Sequence, residues 1–245
     1  MILGAEFDSS KLWEIAPLSS IFVDMDQLSP SAKARLSQSE AAALYDRLAG
    51  VYDLWGHLTE SNARNRALEL ADIHPGQQVL EVAVGTGLAF VHMVRKNPEG
   101  RNIGIDISTG MLAKAKQRLR KAGLTNYQLS IGSALAIAEP DASFDVLLNN
   151  YMFDLLDEPQ WTQAITEFHR VLKPDGKLVL ANMTQSEAPG SGIYERLYRL
   201  SPSLMGGCRG VRMSEALEHN GFSVLLREYV QQMLFPSEVI LASYN

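Results

Sequence analysis

The stretch Val79-Leu80-Glu81-Val82-Ala83-Val84-Gly85-Thr86-Gly87-Leu88-Ala89-Phe90 decides the reading of this chain. It is an apolar run carrying one acid, Glu81, that ends in a Gly-Thr-Gly turn and opens into helical periodicity. A strand that enters a glycine turn and then a helix is the first step of an α/β unit. In open α/β sheets, ligands bind outside the carboxyl ends of the parallel strands, where this turn falls. Glycines let the backbone approach a ligand and supply amide donors at a helix start. The next expected strand ends in Gly104-Ile105-Asp106, 25 residues beyond Glu81. A carboxylate at the tip of a second strand suits a pair of ribose hydroxyls. Turn and aspartate together point to a nucleoside-containing ligand.

Outward from this unit the pattern repeats. Short apolar runs occupy 78–84, 101–107, 127–131, 144–150 and 177–183, and helical stretches fall near 86–97, 109–122 and 158–172. In the last of these Trp161, Ile165, Phe168 and Leu172 share one face, and Lys173-Pro174-Asp175-Gly176 supplies the stop. Alternation of this kind predicts a mostly parallel sheet covered on both faces. The C-terminal runs GFSVLLREYV and MLFPSEVILAS leave no room for a crossover helix and are expected to pair antiparallel, as a hairpin at the sheet edge. Upstream, helix is expected in two pieces between Glu40 and Ala71, the second with Ala63, Ala67, Leu70 and Ala71 on one face. Residues 1–36 read as an N-terminal extension or lid, and 37–245 as the α/β domain.

Composition narrows the function. Apolar residues make up 46% and charged residues 20%, an ordinary globular balance. The net charge of -6, from 22 basic and 28 acidic residues, argues against gripping a phosphate backbone. A small-molecule partner and no nucleic acid are expected. The single cysteine, Cys208, permits neither a disulfide framework nor a thiolate metal site, and no histidines or carboxylates show metal-ligand spacing. No metal and a cytoplasmic setting are expected. The first residues lack a secretory signal and no apolar run reaches the ~18 residues of a membrane span; peripheral membrane contact stays open.

Three nucleoside ligands compete at the turn. A dinucleotide fingerprint needs a third glycine where Phe90 stands, which opposes NAD. No Walker-type string exists, which excludes a P-loop. An acid before the turn repels a pyrophosphate but suits a cationic amino-acid end, and S-adenosylmethionine has an ammonium, a sulfonium and a ribose.

The segment VLEVAVGTG resembles the first motif of class I S-adenosylmethionine-dependent methyltransferases, and GIDISTGMLAKAKQRL resembles the second. The similarity continues through SALAIAEPDASFDVLLNNYMFDLLDEP, FHRVLKPDGKLVLANMT and GFSVLLREYVQQMLFPSEVILA, and so spans roughly residues 40–245. It is greatest to the ubiquinone and menaquinone biosynthesis C-methyltransferases, whose Y-D-x-x-A-x-x-Y-D opening helix YDRLAGVYDLW resembles. The resemblance implies a Rossmann-like fold with a seven-stranded sheet and N-terminal helical cap, and S-adenosyl-L-methionine as cofactor. It implies cofactor contacts from Glu81, Ala83, Gly85, Thr86 and Gly87, then from Asp106, Ile107 and Met111, from Ser133 and Ala134 toward the adenine, and from Asn150 beside the methionine portion. Two positions depart from the family pattern: Ala83 stands where glycine is usual, and Ser133 where an aspartate often meets the adenine.

The acceptor side opens after the fourth strand, at NNYMFDLLDE. By the resemblance Tyr151 faces the methyl acceptor, the alternative being that Asn149 and Asn150 form a turn and Tyr151 packs; Tyr45 or Tyr52, of which Tyr52 is preferred, closes over the cofactor, the alternative being hydrophobic packing. His57 is the histidine placed to reach an acceptor. Asp154 is either an acid/base group or a cap for the next helix. Residues 190–213, with Tyr194, Tyr198 and four arginines, are either a pocket wall or a solvated amphipathic helix. The acceptor is a quinone-precursor ring carbon, a lipid amine headgroup or a secondary metabolite. The competing reading is an inactive methyltransferase-like binding module, for which Ala83 and Ser133 leave room.

Overall fold

The computed structural model describes residues 59–185, 187, 210–233 and 235–244. The 1–36 extension, the first helical piece, Tyr45, Tyr52, His57, Cys208 and most of the expected acceptor wall lie outside the described residues. Along the chain run α1 (Ser61–Ala71), β1 (Gln78–Val82), α2 (Leu88–Lys96), β2 (Arg101–Asp106), α3 (Thr109–Lys121), β3 (Gln128–Ile131), β4 (Phe144–Asn150), a 3-10 turn (Phe153–Leu155), α4 (Glu158–Val171), β5 (Leu172–Met183), α5 (Met213–His219), β6 (Ser223–Gln232) and β7 (Phe235–Ser243).

The seven strands form one sheet in the order β3-β2-β1-β4-β5-β7-β6. β1 to β5 pair in parallel, and β7 runs antiparallel to both β5 and β6. The terminal hairpin therefore enters with its second strand inward. Burial explains the choice: β7 is buried along nearly its whole length, whereas β6 has no fully buried residue and lies at the edge. Val146, Leu147 and Leu148 of β4 are fully buried, as a strand with helices on both faces requires. α1, α2 and α3 cover one face through Ala67, Phe90, Met93 and Leu119, and α4 and α5 cover the other through Ile165, Phe168 and Leu217.

Local chemistry sets the helix ends. Ser108 caps α3 by accepting the Met111 amide, and Asp157 caps α4 in a reciprocal box with Gln160. The cap of α4 is thus Asp157 rather than Asp154. α4 stops one residue short of the expected face, because Leu172 is already extended (φ -74, ψ 142) and pairs with Phe144 in the sheet. Pro174 disfavours helix at Lys173, and the ladder resumes at Val146 and Lys177, so the residues between Leu172 and Lys177 loop out of it.

Candidate active site

The strand order reverses between β1 and β4, and the ligand crevice of such sheets opens at that switch point. The chain after β1 turns through three left-handed residues: Ala83 (φ 60), Gly85 (φ 56) and Gly87 (φ 81). Gly87 is required twice over, because a Cβ there would stand 2.9 Å from the Ala115 Cβ as well as being strained. Its absence lets the start of α2 rest on α3. At Gly85 a Cβ would meet nothing within 4 Å, so the turn borders open space at that residue.

Asp106, at the end of β2 and 7% exposed, fastens this turn. Its Oδ2 accepts the Gly85 amide at 2.7 Å and its Oδ1 the Ser108 amide at 2.9 Å. Arg118 donates from Nε to the Thr86 carbonyl at 2.9 Å. Of the cations on α3, Lys116, Arg120 and Lys121 are exposed, while Lys114 and Arg118 are half-buried. Phe90, at the third position of the absent dinucleotide fingerprint, is fully buried and meets Tyr127 edge-on at 6.4 Å between ring centroids.

A cleft of about 390 Å³, open to solvent, lies against the turn. Glu81, Ala83, Gly85 and Thr86 line it from the β1 side, Asn150 and Tyr151 from the end of β4, and Glu60 and Arg64 from the start of α1. Ile107, Met111, Ser133 and Ala134 are not in this lining. They lie beyond the ends of β2 and β3, with the Ser133 Oγ accepting the Leu135 amide at 3.1 Å.

The cleft is acidic at its floor. Glu81 is 2% exposed; its Oε1 accepts a long bond of 3.4 Å from the Asn150 Nδ2, and its Oε2 has no hydrogen-bond partner among the described residues. Burial pushes the Glu81 carboxyl well above the usual carboxylate range, with Asn150 and Arg64 pulling the other way and Asp106 adding to the rise. The buried Asn150 Oδ1 likewise has no partner among the described residues. Asn149, by contrast, is spent on the scaffold, donating to the Val82 carbonyl at 2.8 Å. The alternative in which Asn149 and Asn150 form a turn does not hold, since both belong to β4.

Tyr151 follows β4 with a left-handed φ of 52°. Its amide donates to the Ala181 carbonyl at 2.7 Å and its hydroxyl shares a hydrogen bond of 3.0 Å with the Ser237 Oγ. Burial raises the phenol beyond its ordinary range. The ring thus stands as a fixed wall whose hydroxyl points into a protein contact. Asp154 is buried in the 3-10 turn.

Glu60 and Arg64 were missed from the sequence. The signal available was their helical spacing with the small residues of α1: Arg64 is buried with Ala63, Ala67, Leu68 and Ala71. An acid and an arginine on an apolar stripe of small residues mark polar groups turned inward.

The arrangement suits a ligand with a cationic amino-acid end. Glu81 and Asn150 can take an ammonium through their open oxygens, Arg64 a carboxylate, and the open space at Gly85 lets the ligand approach the turn closely. S-adenosylmethionine carries these groups, so the residues present fit it.

Residues 79–176 match a methyltransferase domain family. Over 164 residues the chain is 33% identical to the demethylmenaquinone methyltransferase of Listeria monocytogenes, covering 66% of this chain and 67% of that protein. Over 169 residues it is 32% identical to the demethylmenaquinone methyltransferase of Geobacillus stearothermophilus, covering 67% and 69%. Among solved structures, a SAM dependent methyltransferase from Aquifex aeolicus shares the fold with a TM-score of 0.54 at 19% identity, over 85% of this chain and 99% of that one. With this fold, this cleft and these relatives, the chain belongs to the class I S-adenosylmethionine-dependent methyltransferases, in the menaquinone-biosynthesis branch, and is an enzyme that uses S-adenosylmethionine to methylate a small molecule.

Proposed function

We propose that the acceptor is a hydroxylated aromatic ring, a demethylated quinol methylated at a ring carbon. The observation that carries this reading is the 33% identity over two thirds of proteins named for that reaction. The cleft supports it, because carboxyl groups able to take a proton, Glu60 and Glu81, line it, as suits a neutral ring that must give one up.

In this reading Glu81 and Asn150 hold the cofactor's ammonium and Arg64 its carboxylate. The backbone from Gly85 to Gly87 passes along its length, Asp106 accepts from the ribose, and Ile107, Met111, Ser133 and Ala134 enclose the adenine. The cofactor, when bound, supplies a methyl group on a sulfonium, a good neutral leaving group. Tyr151 is the wall against which the ring is aligned, and alignment of reactants is worth on the order of 7–11 kcal/mol. Tyr52 closes over the sulfonium, His57 borders the acceptor, and residues 1–36 act as a lid over a domain spanning 37–245. The protein works in the cytoplasm; no helix among the described residues is long and apolar enough to cross a membrane.

The test is product analysis with S-adenosylmethionine carrying a labelled methyl group. Offered separately reduced short-chain demethylmenaquinol, phosphatidylethanolamine and simple phenols, the protein is expected to label the quinol at a ring carbon. Label on the amine headgroup or on a phenolic oxygen, with none on the quinol ring, would overturn the reading.

A further inference from the structure

Among the acids of the cleft, Glu60 is distinguished by its surroundings. It immediately precedes α1, its carbonyl accepts the Arg64 amide at 3.0 Å, and its side chain, 6% exposed, reaches the cleft lining together with Asn150 and Tyr151. The element that carries it is well anchored. Arg66 donates both fork nitrogens to the Glu228 carboxylate of β6 at 2.7 Å, and the Asn62 amide donates to the Gln232 Oε1 at 2.7 Å. Among the described residues, the charged and titratable groups around Glu60 are Asp154 from the 3-10 turn, Arg64 from α1 and Tyr151 from the end of β4, with Glu81 across the cleft floor. Burial first, and then the negative charge of Asp154, push its carboxyl up to about 7, while Arg64 pulls it down.

We propose that Glu60 is a catalytic residue of the methyl transfer: its carboxylate takes the proton of the acceptor's ring hydroxyl as the neighbouring ring carbon gains the methyl group. The inference rests on the hydroxylated-ring acceptor proposed above. The Glu60 carboxylate accepts the hydroxyl proton, and the O–H electron pair passes into the ring. The ring carbon uses a ring pair to form the new carbon–carbon bond; the carbon–sulfur bond breaks and sulfur keeps its pair as a neutral thioether. The ring carbon's own proton then leaves to water, its C–H pair restores the aromatic ring, and the oxygen recovers a proton from Glu60. One proton is released overall, and Glu60 is again a carboxylate. A base poised near the working pH is best suited to this duty. Asp154 is a positioning residue that acts through Glu60 by setting its affinity for the proton.

The experiment is kcat against pH at saturating S-adenosylmethionine with reduced short-chain demethylmenaquinol, together with calorimetry of S-adenosylhomocysteine binding. Wild-type kcat is expected to fall as pH drops through about 7, as Glu60 becomes protonated. Glu60→Gln should lower kcat by about 10²–10⁴-fold and erase that limb, while the S-adenosylhomocysteine Kd changes by less than about threefold. Asp154→Asn, lacking the charge that pushes Glu60 up, should move the limb to lower pH. A Glu60→Gln protein with wild-type kcat and an unchanged limb overturns the proposal. If Glu60→Gln fails to fold by circular dichroism, Asp154→Asn decides, and an unmoved limb overturns it. A wild-type protein that gives no ring-methylated product overturns the acceptor reading and this inference with it, and that failure is visible before any variant is made.

Discussion

The two walls of the cleft differ in how fully their polar groups are satisfied. On the β1–β2 side the glycine turn is held by the Asp106 carboxylate, which accepts amides from both the turn and the loop after β2, and by Arg118 on the Thr86 carbonyl. On the β1–β4 side, oxygens of Glu81 and Asn150 are buried without partners among the described residues, and Glu60 is a buried acid that burial and the charge of Asp154 push up. The first wall has paid its ordering entropy on folding and can receive a nucleoside without rearranging. The second is held at an electrostatic cost that a bound cation relieves. A site that strains the empty protein to favour the loaded one is the usual trade of stability for activity.

Removing the charge at Glu81 should break this contrast most sharply. Glu81→Gln keeps the shape and the Asn150 contact but cannot pair with an ammonium, so S-adenosylhomocysteine affinity is expected to fall about 100-fold, or roughly 2.7 kcal/mol. The unliganded variant should melt higher than wild type at pH 7, because the cost of burying a carboxyl that is ionised in the unfolded chain has gone. The sign follows from the direction of its proton affinity. A carboxyl raised on folding binds more protons in the native than in the unfolded state between the unfolded value and the raised one. Its contribution to stability therefore declines as pH rises through that window, and the Glu81→Gln melting curve should be flatter there. A variant that binds normally, or melts lower across the whole range, would show that the acid wall carries no such cost.

Asp106→Ala tests the opposite wall and should behave in the opposite way. Cofactor affinity is expected to fall at least about tenfold, as the ribose loses a charged acceptor. Stability should fall with it, by about 2–4 kcal/mol, because two backbone amides of the turn and the following loop lose a charged acceptor. Calorimetry and thermal unfolding of one preparation measure both. Weaker binding with unchanged melting would mean that the turn holds its shape without Asp106.

How much of this was legible in the sequence follows the range of the interactions. Strands, helices and the glycine turn were readable because hydrophobic period and turn residues act within a few positions, as in the β1–α2 unit. The acid of β1 and the aspartate of β2 were readable from spacing alone. What escaped depends on distant partners. The Tyr151 hydroxyl is fixed by Ser237, 86 residues on, so an acceptor-facing tyrosine and a wall tyrosine look alike in the chain. Glu60 and Arg64 enter the cleft because α1 is docked on β6 by contacts 162 and 170 residues apart. The inward position of β7 depended on comparing the burial of two strands, not on either strand's own pattern. Asp106 was assigned to the ribose, and its two amide bonds show that it also builds the turn that faces the ligand.

Ala83 is the one place where the finished wall retains strain, and its replacement is the smallest of the expected effects. Its φ of 60° is a region that alanine occupies at a cost of about 1–2 kcal/mol and glycine occupies freely. Ala83→Gly recovers that cost but gives back about 0.4–1 kcal/mol through the greater freedom of the unfolded chain. The net gain of about 0.5–1 kcal/mol corresponds to a rise in Tm of about 1–4 °C for a chain of this size. The residue lines the cleft, yet no polar contact is lost with its methyl group, so S-adenosylhomocysteine affinity should stay within about threefold of wild type. A higher Tm with unchanged affinity separates the strain of the turn from its binding function. A lower Tm would mean that the Ala83 methyl contributes more by packing in the wall than its backbone costs, and that the glycine side of the cleft is as much a packed surface as a cradle.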